Sequence, residues 1–137
     1  MKTLIVEDEL TSRVVLRELL KRFGLPHVAM NGAEAVEAVQ TAISAGEPYD
    51  LICLDIEMPE MDGQEALKQI RRLEDRAGLT RDTRARVFMT TSHADRDNVV
   101  AAIQSQCDYF LVKPIDGKGL LEELKRFGLI PASTNTK

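Results

Sequence analysis

The 137 residues contain no tryptophan, two cysteines and two histidines, and aromatics make up 4%. These shortages exclude several chemistries. A zinc ribbon or a disulfide scaffold needs closely spaced Cys or Cys/His ligands, and Cys53 and Cys107 form no such spacing. Cys53 stands inside Leu51-Ile52-Cys53-Leu54, where cysteine behaves as a small buried hydrophobe. No apolar stretch approaches the roughly 20 residues that a transmembrane helix needs. Glu7-Asp8 interrupts the first apolar run before a signal-peptide core can form. No GxGxxG or GxxxxGK[ST] loop follows that run, so nucleotide binding has no support. Neither sign of charge dominates: 18 basic against 22 acidic residues leave −4, which gives no electrostatic reason for a nucleic-acid partner. The expectation is a reduced, cytoplasmic, soluble domain without direct nucleic-acid or membrane contact.

The chain is 44% hydrophobic and 29% charged, and its length suits one domain with a real core. Short β-rich apolar runs alternate with helical periodicity. The predicted strands are Thr3–Val6, Pro26–Met30, Leu51–Asp55, Arg86–Thr91 and Tyr109–Val112. The predicted helices carry Leu16, Leu19, Leu20 and Phe23; then Val36, Val39 and Ile43; then Ala66, Ile70 and Leu73. A fourth carries Val99, Val100 and Ile103, and a fifth Leu120, Leu121, Leu124 and Phe127. Gly24, Asn31-Gly32, Gly46 and Pro48 fall between these elements as breakers. Five βα units predict an α/β fold, a five-stranded parallel sheet with helices on both faces. The continuously apolar third strand marks the centre of that sheet. Residues 74–85 read as an extended Arg-rich loop. Arg71-Arg72 and the group from Arg81 to Arg86 read as solvated helix faces or loops. One domain is expected over 1–129, with a short disordered tail over 130–137.

In an open parallel sheet, ligands bind outside the carboxyl ends of the strands, where strand order reverses. The first strand ends in Glu7-Asp8, the third in Asp55, the fourth in Thr91-Ser92 and the fifth in Lys113-Pro114. Each has a plain reading taken alone: Glu7-Asp8 as a helix cap, Lys113 as a surface ion pair, Asp62-Gly63 as turn residues. Together they bring three carboxylates, a hydroxyl and an ammonium to one rim. Crowded carboxylates repel and call for a cation. A hard oxygen-loving ion, Mg²⁺ or Mn²⁺, suits this set. A carboxylate can act as nucleophile toward a phosphoryl group, while Lys113 and Thr91 neutralise and hydrogen-bond its oxygens.

Glu7-Asp8, the run Leu54-Asp55-Ile56-Glu57-Met58-Pro59-Glu60-Met61-Asp62-Gly63, Thr91 and Lys113-Pro114 together resemble the receiver domains of two-component response regulators. The resemblance covers residues 3 to about 129. It implies a (βα)₅ flavodoxin-like, doubly wound fold and a phosphoacceptor at Asp55. It implies metal ligation by Asp8, Asp55 and the Glu57 backbone carbonyl, with Glu7 acting through water. Thr91, Ser92 and Lys113 would bind the phosphoryl group, and Phe110 would swing inward as the switch aromatic. Tyrosine is common at the Phe110 position in this family and alanine at that of Ser92, so the sequence departs from the pattern there. Glu57 and His93 would flank the attacking water and set phosphoryl lifetime.

The implied partners are a sensor histidine kinase or phosphotransfer protein and a downstream protein effector. The effector would read the surface of the fourth helix, fifth strand and fifth helix, with the chain a monomer or a phosphorylation-dependent dimer. The domain would be a signalling phosphoacceptor rather than a classical enzyme, acting alone or within a larger regulator. Two alternatives stay open. A phosphatase of the haloacid dehalogenase type wants a DxDx(T/V) nucleophile after strand one, which Glu7-Asp8-Glu9 does not supply. A degenerate receiver, acting as a constitutive binding module, normally lacks one of the key residues, and here none is missing.

Overall fold

The computed structural model describes residues 1–58, 60–92 and 106–135. The chain runs β1 (Thr3–Val6), α1 (Leu10–Leu20), a 3₁₀ turn (Lys21–Phe23), β2 (His27–Ala29), α2 (Gly32–Ser44), β3 (Leu51–Asp55), α3 (Gly63–Arg76), β4 (Arg86–Thr91), β5 (Tyr109–Val112) and α4 (Gly117–Arg126). Here α4 is the helix expected fifth from the sequence; the one expected around Val99, Val100 and Ile103 lies outside the described residues. All strand pairs are parallel, in the order β2-β1-β3-β4-β5. This is the expected doubly wound, flavodoxin-like order. It places the reversal between β1 and β3, which pair from Thr3↔Leu51 to Val6↔Leu54.

The period-two alternation of strand side chains builds two cores. On one face, Leu4, Val6, Ile52, Leu54, Val87 and Met89 pack against Ala35, Val39 and Ala42 of α2 and Ala66, Leu67 and Ile70 of α3. On the other, Ile5, Cys53 and Phe88 meet Leu16 and Leu20 of α1 and Leu120, Leu121 and Leu124 of α4. Cys53 is fully enclosed, and burial pushes its thiol up to about 12. β2 is shorter than its apolar run, and its His27 ring bonds the Tyr49 hydroxyl at 2.7 Å. After α4, Ile130 is buried, and a turn closes from the Thr134 N–H to the Pro131 carbonyl.

Two expectations fail at the end of α3. The helix runs on to Arg76, so Glu74 to Arg76 are not loop. Arg71 is not solvated either; it is 4% exposed. Its guanidinium donates to Glu74 (2.7 Å), Asp108 (3.0 Å) and the carbonyls of Ala85 (2.9 Å) and Gln106 (3.0 Å). Glu74 in turn accepts from the Ala85 N–H, and Asp108 from the Val87 N–H. The buried charge is tolerated because each of these groups is paired. The knot ties α3 to the starts of β4 and β5, and the helix persists through Glu74 to complete it.

Candidate functional site

The reversal in strand order leaves a cleft of about 510 Å³ above the carboxyl ends of β1 and β3. Asp8, Glu9, Ser12, Asp55, Glu57, Ser92, Lys113 and Pro114 line it. Each wall has a local cause. Glu7 continues β1, its N–H donating to the Ala29 carbonyl at 3.1 Å. The chain then enters α1, where the Glu9 carboxylate caps the N–H groups of Thr11 (3.0 Å) and Ser12 (2.9 Å). The turn after β3 is held down twice: Ile56 N–H bonds the Thr90 carbonyl and Gly63 N–H bonds the Ile56 carbonyl. Glycine is required at 63, because a Cβ there would lie 2.2 Å from the Asp55 carbonyl oxygen. Asp62 caps α3 by accepting from the Glu65 N–H at 2.9 Å.

Within this frame Glu7 is 0% and Asp55 2% exposed, whereas Asp8 faces solvent. One carboxylate oxygen from each of the three lies within 4.8 Å of the others. The Lys113 ammonium is 2.5 Å from Glu7 Oε1 and 3.3 Å from Asp55 Oδ2. Burial, with the hydrogen bond and charge of Glu7 behind it, pushes the Asp55 carboxyl up to about 8; Lys113 acts against the rise. For Lys113, burial disfavours the charged form, but the Glu7 hydrogen bond and the Asp55 and Glu7 charges outweigh it. Its pKa therefore stands above the ordinary lysine value. Three carboxylates against one ammonium leave negative charge uncompensated, and the donor set is all oxygen. That is the chemistry of a hard divalent cation site.

β4 delivers Thr91, fully buried, and Ser92 to the same rim, while β5 delivers Lys113 ahead of a cis Lys113–Pro114 peptide. The Glu57 N–H donates to Asp55 Oδ1 at 3.2 Å. The Glu57 carboxylate accepts from the Thr91 hydroxyl, and also from the Ser92 N–H at 3.0 Å. Phe110 packs on the α2/α3 side of the sheet. Tyr109 faces the other way, its ring centroid 5.4 Å from that of Phe88. His93 lies outside the described residues. Sequence reasoning therefore named Glu7, Asp8, Asp55, Glu57, Thr91, Ser92 and Lys113, and the fold brings all seven together. It missed Glu9 and Ser12, whose signal was available: they open the helix directly after the Glu7-Asp8 pair.

The chain belongs to the response regulator receiver domain family, whose model matches residues 3–125. Such domains are the phosphoacceptor signalling modules of two-component systems. The chain is 34% identical to chemotaxis protein CheY of Bacillus subtilis over 91% of its own length and 95% of that protein. It is 33% identical to probable histidine kinase 2 of Oryza sativa, matched over 89% of this chain, but it spans only 12% of the length of that kinase. Among solved structures it resembles the receiver domain of the histidine kinase CKI1 from Arabidopsis thaliana complexed with Mg²⁺. That match has a TM-score of 0.81 and 28% identity, over 92% of this chain and 90% of that one. Among the described residues, no helix is long and apolar enough to cross a membrane.

Proposed function

We propose that the chain accepts a phosphoryl group on Asp55 from a phosphohistidine of a sensor kinase or phosphotransfer protein. The observation that carries this reading is the placing of Asp55. It is a nearly enclosed carboxylate at the end of the central strand, with Glu7 and Asp8 oxygens within 4.8 Å and the Lys113 ammonium 3.3 Å away. In the transfer an Asp55 carboxylate oxygen bonds to phosphorus, and the P–N bond breaks. Its electron pair leaves with the imidazole. Lys113 moves from the carboxylates onto a phosphoryl oxygen, and the Thr91 hydroxyl and Ser92 N–H take others.

Asp8 and Asp55 would hold Mg²⁺ (or Mn²⁺) directly, with the Glu57 carbonyl, and Glu7 through water. The ion supplies charge neutralisation at the phosphoryl oxygens. The new charge favours one arrangement of the loops after β4 and β5, and Phe110 turns inward behind Thr91. A protein effector then reads the surface formed by β5, α4 and the helix expected near Val99. Glu57 and His93 set the lifetime of the phosphoryl group. The setting we propose is the cytoplasm, the chain acting alone or within a larger regulator, as a monomer or a phosphorylation-dependent dimer.

Intact mass after incubation with Mg²⁺ and acetyl phosphate tests this. A single base-labile phosphoryl adduct that requires the metal and is absent from Asp55→Asn is the expected result. An adduct that persists in Asp55→Asn would overturn the assignment, and no adduct from acetyl phosphate or a phosphohistidine donor would leave a constitutive binding module.

A further inference from the structure

We infer that the Glu57 carboxylate occupies, in the unphosphorylated chain, the hydrogen-bond donors that a phosphoryl group on Asp55 would use, so that phosphorylation must evict it. The inference rests on the proposed function and assigns Glu57 a role before transfer, distinct from any effect on phosphoryl lifetime. Two donors at the carboxyl end of β4, the Thr91 hydroxyl and the Ser92 N–H, converge on Glu57 Oε1. Their strand is paired to β3 in the register Asp55↔Thr90, so they stand beside the phosphoacceptor. Donors converging on one anionic oxygen form a cradle for negative charge, indifferent to whether carbon or phosphorus carries it.

The tether makes the competition intramolecular. Glu57 is two residues from Asp55, and its own N–H is held by Asp55 Oδ1 at 3.2 Å. The carboxylate is thus always delivered next to the donors, at high effective concentration. A phosphoryl group on Asp55 brings a second multiply charged anion to the same place, and like charges cannot share it. Glu57 is only half-buried and lines the open cleft, whereas Thr91 is fully enclosed and must keep its partner within the rim. The donors pass from the carboxylate to the phosphoryl oxygens, and the Glu57 side chain leaves. Until then it keeps the Thr91 hydroxyl bonded at the rim.

The test compares wild type, Glu57→Ala and the near-isosteric Glu57→Gln at saturating Mg²⁺. It reads the initial rate of adduct formation from acetyl phosphate, the affinity for beryllofluoride, and the Ser92 amide proton resonance without ligand. Glu57→Ala is expected to accept phosphate and bind beryllofluoride about tenfold better, the equivalent of ~1.4 kcal/mol. Glu57→Gln, which keeps an acceptor oxygen but loses the charge, is expected to fall between. The Ser92 amide resonance should move in Glu57→Ala and move less in Glu57→Gln. Adduct formation on Asp55 at equal or lower rate in Glu57→Ala, or an unmoved Ser92 resonance, overturns the inference while leaving the proposed function standing. No adduct in any of the three proteins, from acetyl phosphate or from a phosphohistidine donor, refutes the proposed function, and the inference falls with it.

Discussion

The Lys113 ammonium lies closer to Glu7 than to Asp55, 2.5 Å against 3.3 Å. Without a phosphoryl group the lysine is therefore first of all the counter-ion of a carboxylate with no exposure to water. Lys113→Met strands that carboxylate, and breaking such a pair costs about 3 kcal/mol. Glu7→Gln in the same chain should restore most of the loss. Urea denaturation of the two single variants and the double variant, in metal-free buffer, measures the coupling. Additive losses would show that the pair is worth nothing.

Asp55 gives the metal-free protein a pH dependence of defined sign. Its carboxyl titrates at about 8 in the fold and near 4 in an unfolded chain. Between those values the folded protein holds a proton that the unfolded chain has lost. The stabilisation is complete below about pH 4 and is lost as pH rises toward 8. The rim is open to solvent, and screening reduces the effect to about 2 kcal/mol. Asp55→Asn should remove this part of the slope and gain on wild type as pH rises from 5 to 8. Parallel stability curves for the two proteins would contradict the placing of Asp55 in a desolvated, negatively charged corner.

At the far end of α3, neighbouring arginines should behave oppositely. Arg71 is buried with four kinds of partner, whereas Arg72 is exposed. Arg71→Met should cost about 3–5 kcal/mol, because Glu74 is left as an uncompensated buried charge, while Asp108 keeps only its longer contact to Arg86. Arg72→Ala should stay within about 0.5 kcal/mol of wild type. Thermal or urea melts of both variants decide this, and equal losses would contradict the structure.

Much of this architecture can be read from the sequence, for physical reasons that differ by element. β3 is legible because a central strand is apolar on both faces, and Leu51-Ile52-Cys53-Leu54 has no polar break before Asp55. Glu7, Asp8, Asp55, Thr91 and Lys113 are legible because strand ends in a parallel sheet share one rim, so position along the strand gives position in space. Arg71 is not legible: its partners Asp108 and Gln106 are 37 and 35 residues away, and nothing local distinguishes it from Arg72. The length of α3 is hidden for the same reason, since Glu74 is fixed by Ala85, just ahead of the next strand. The bond between Glu57 and Thr91 spans 34 residues and depends on the turn after β3.

That turn also makes Gly63 intolerant of a side chain. Gly63→Ala puts a Cβ 2.2 Å from the Asp55 carbonyl oxygen, with backbone rather than a flexible side chain in the way. The expected cost is about 2 kcal/mol from forced backbone movement. On the proposed function, adduct formation at Asp55 should also weaken, because the loop that positions the carboxylate shifts. Denaturation and intact mass on the same preparation check both, and a variant with wild-type stability would contradict the close approach.

The most direct test of the account is chemical trapping at residue 55. The phosphorylated protein is treated with borohydride, which reduces an acyl phosphate to the alcohol, and the modified residue is located by peptide sequencing in a mass spectrometer. Homoserine at position 55, with no reduced side chain at Glu7, Asp8 or Glu57, is the predicted result. Reduction at Glu7, Asp8 or Glu57 with Asp55 intact would contradict the account at its centre.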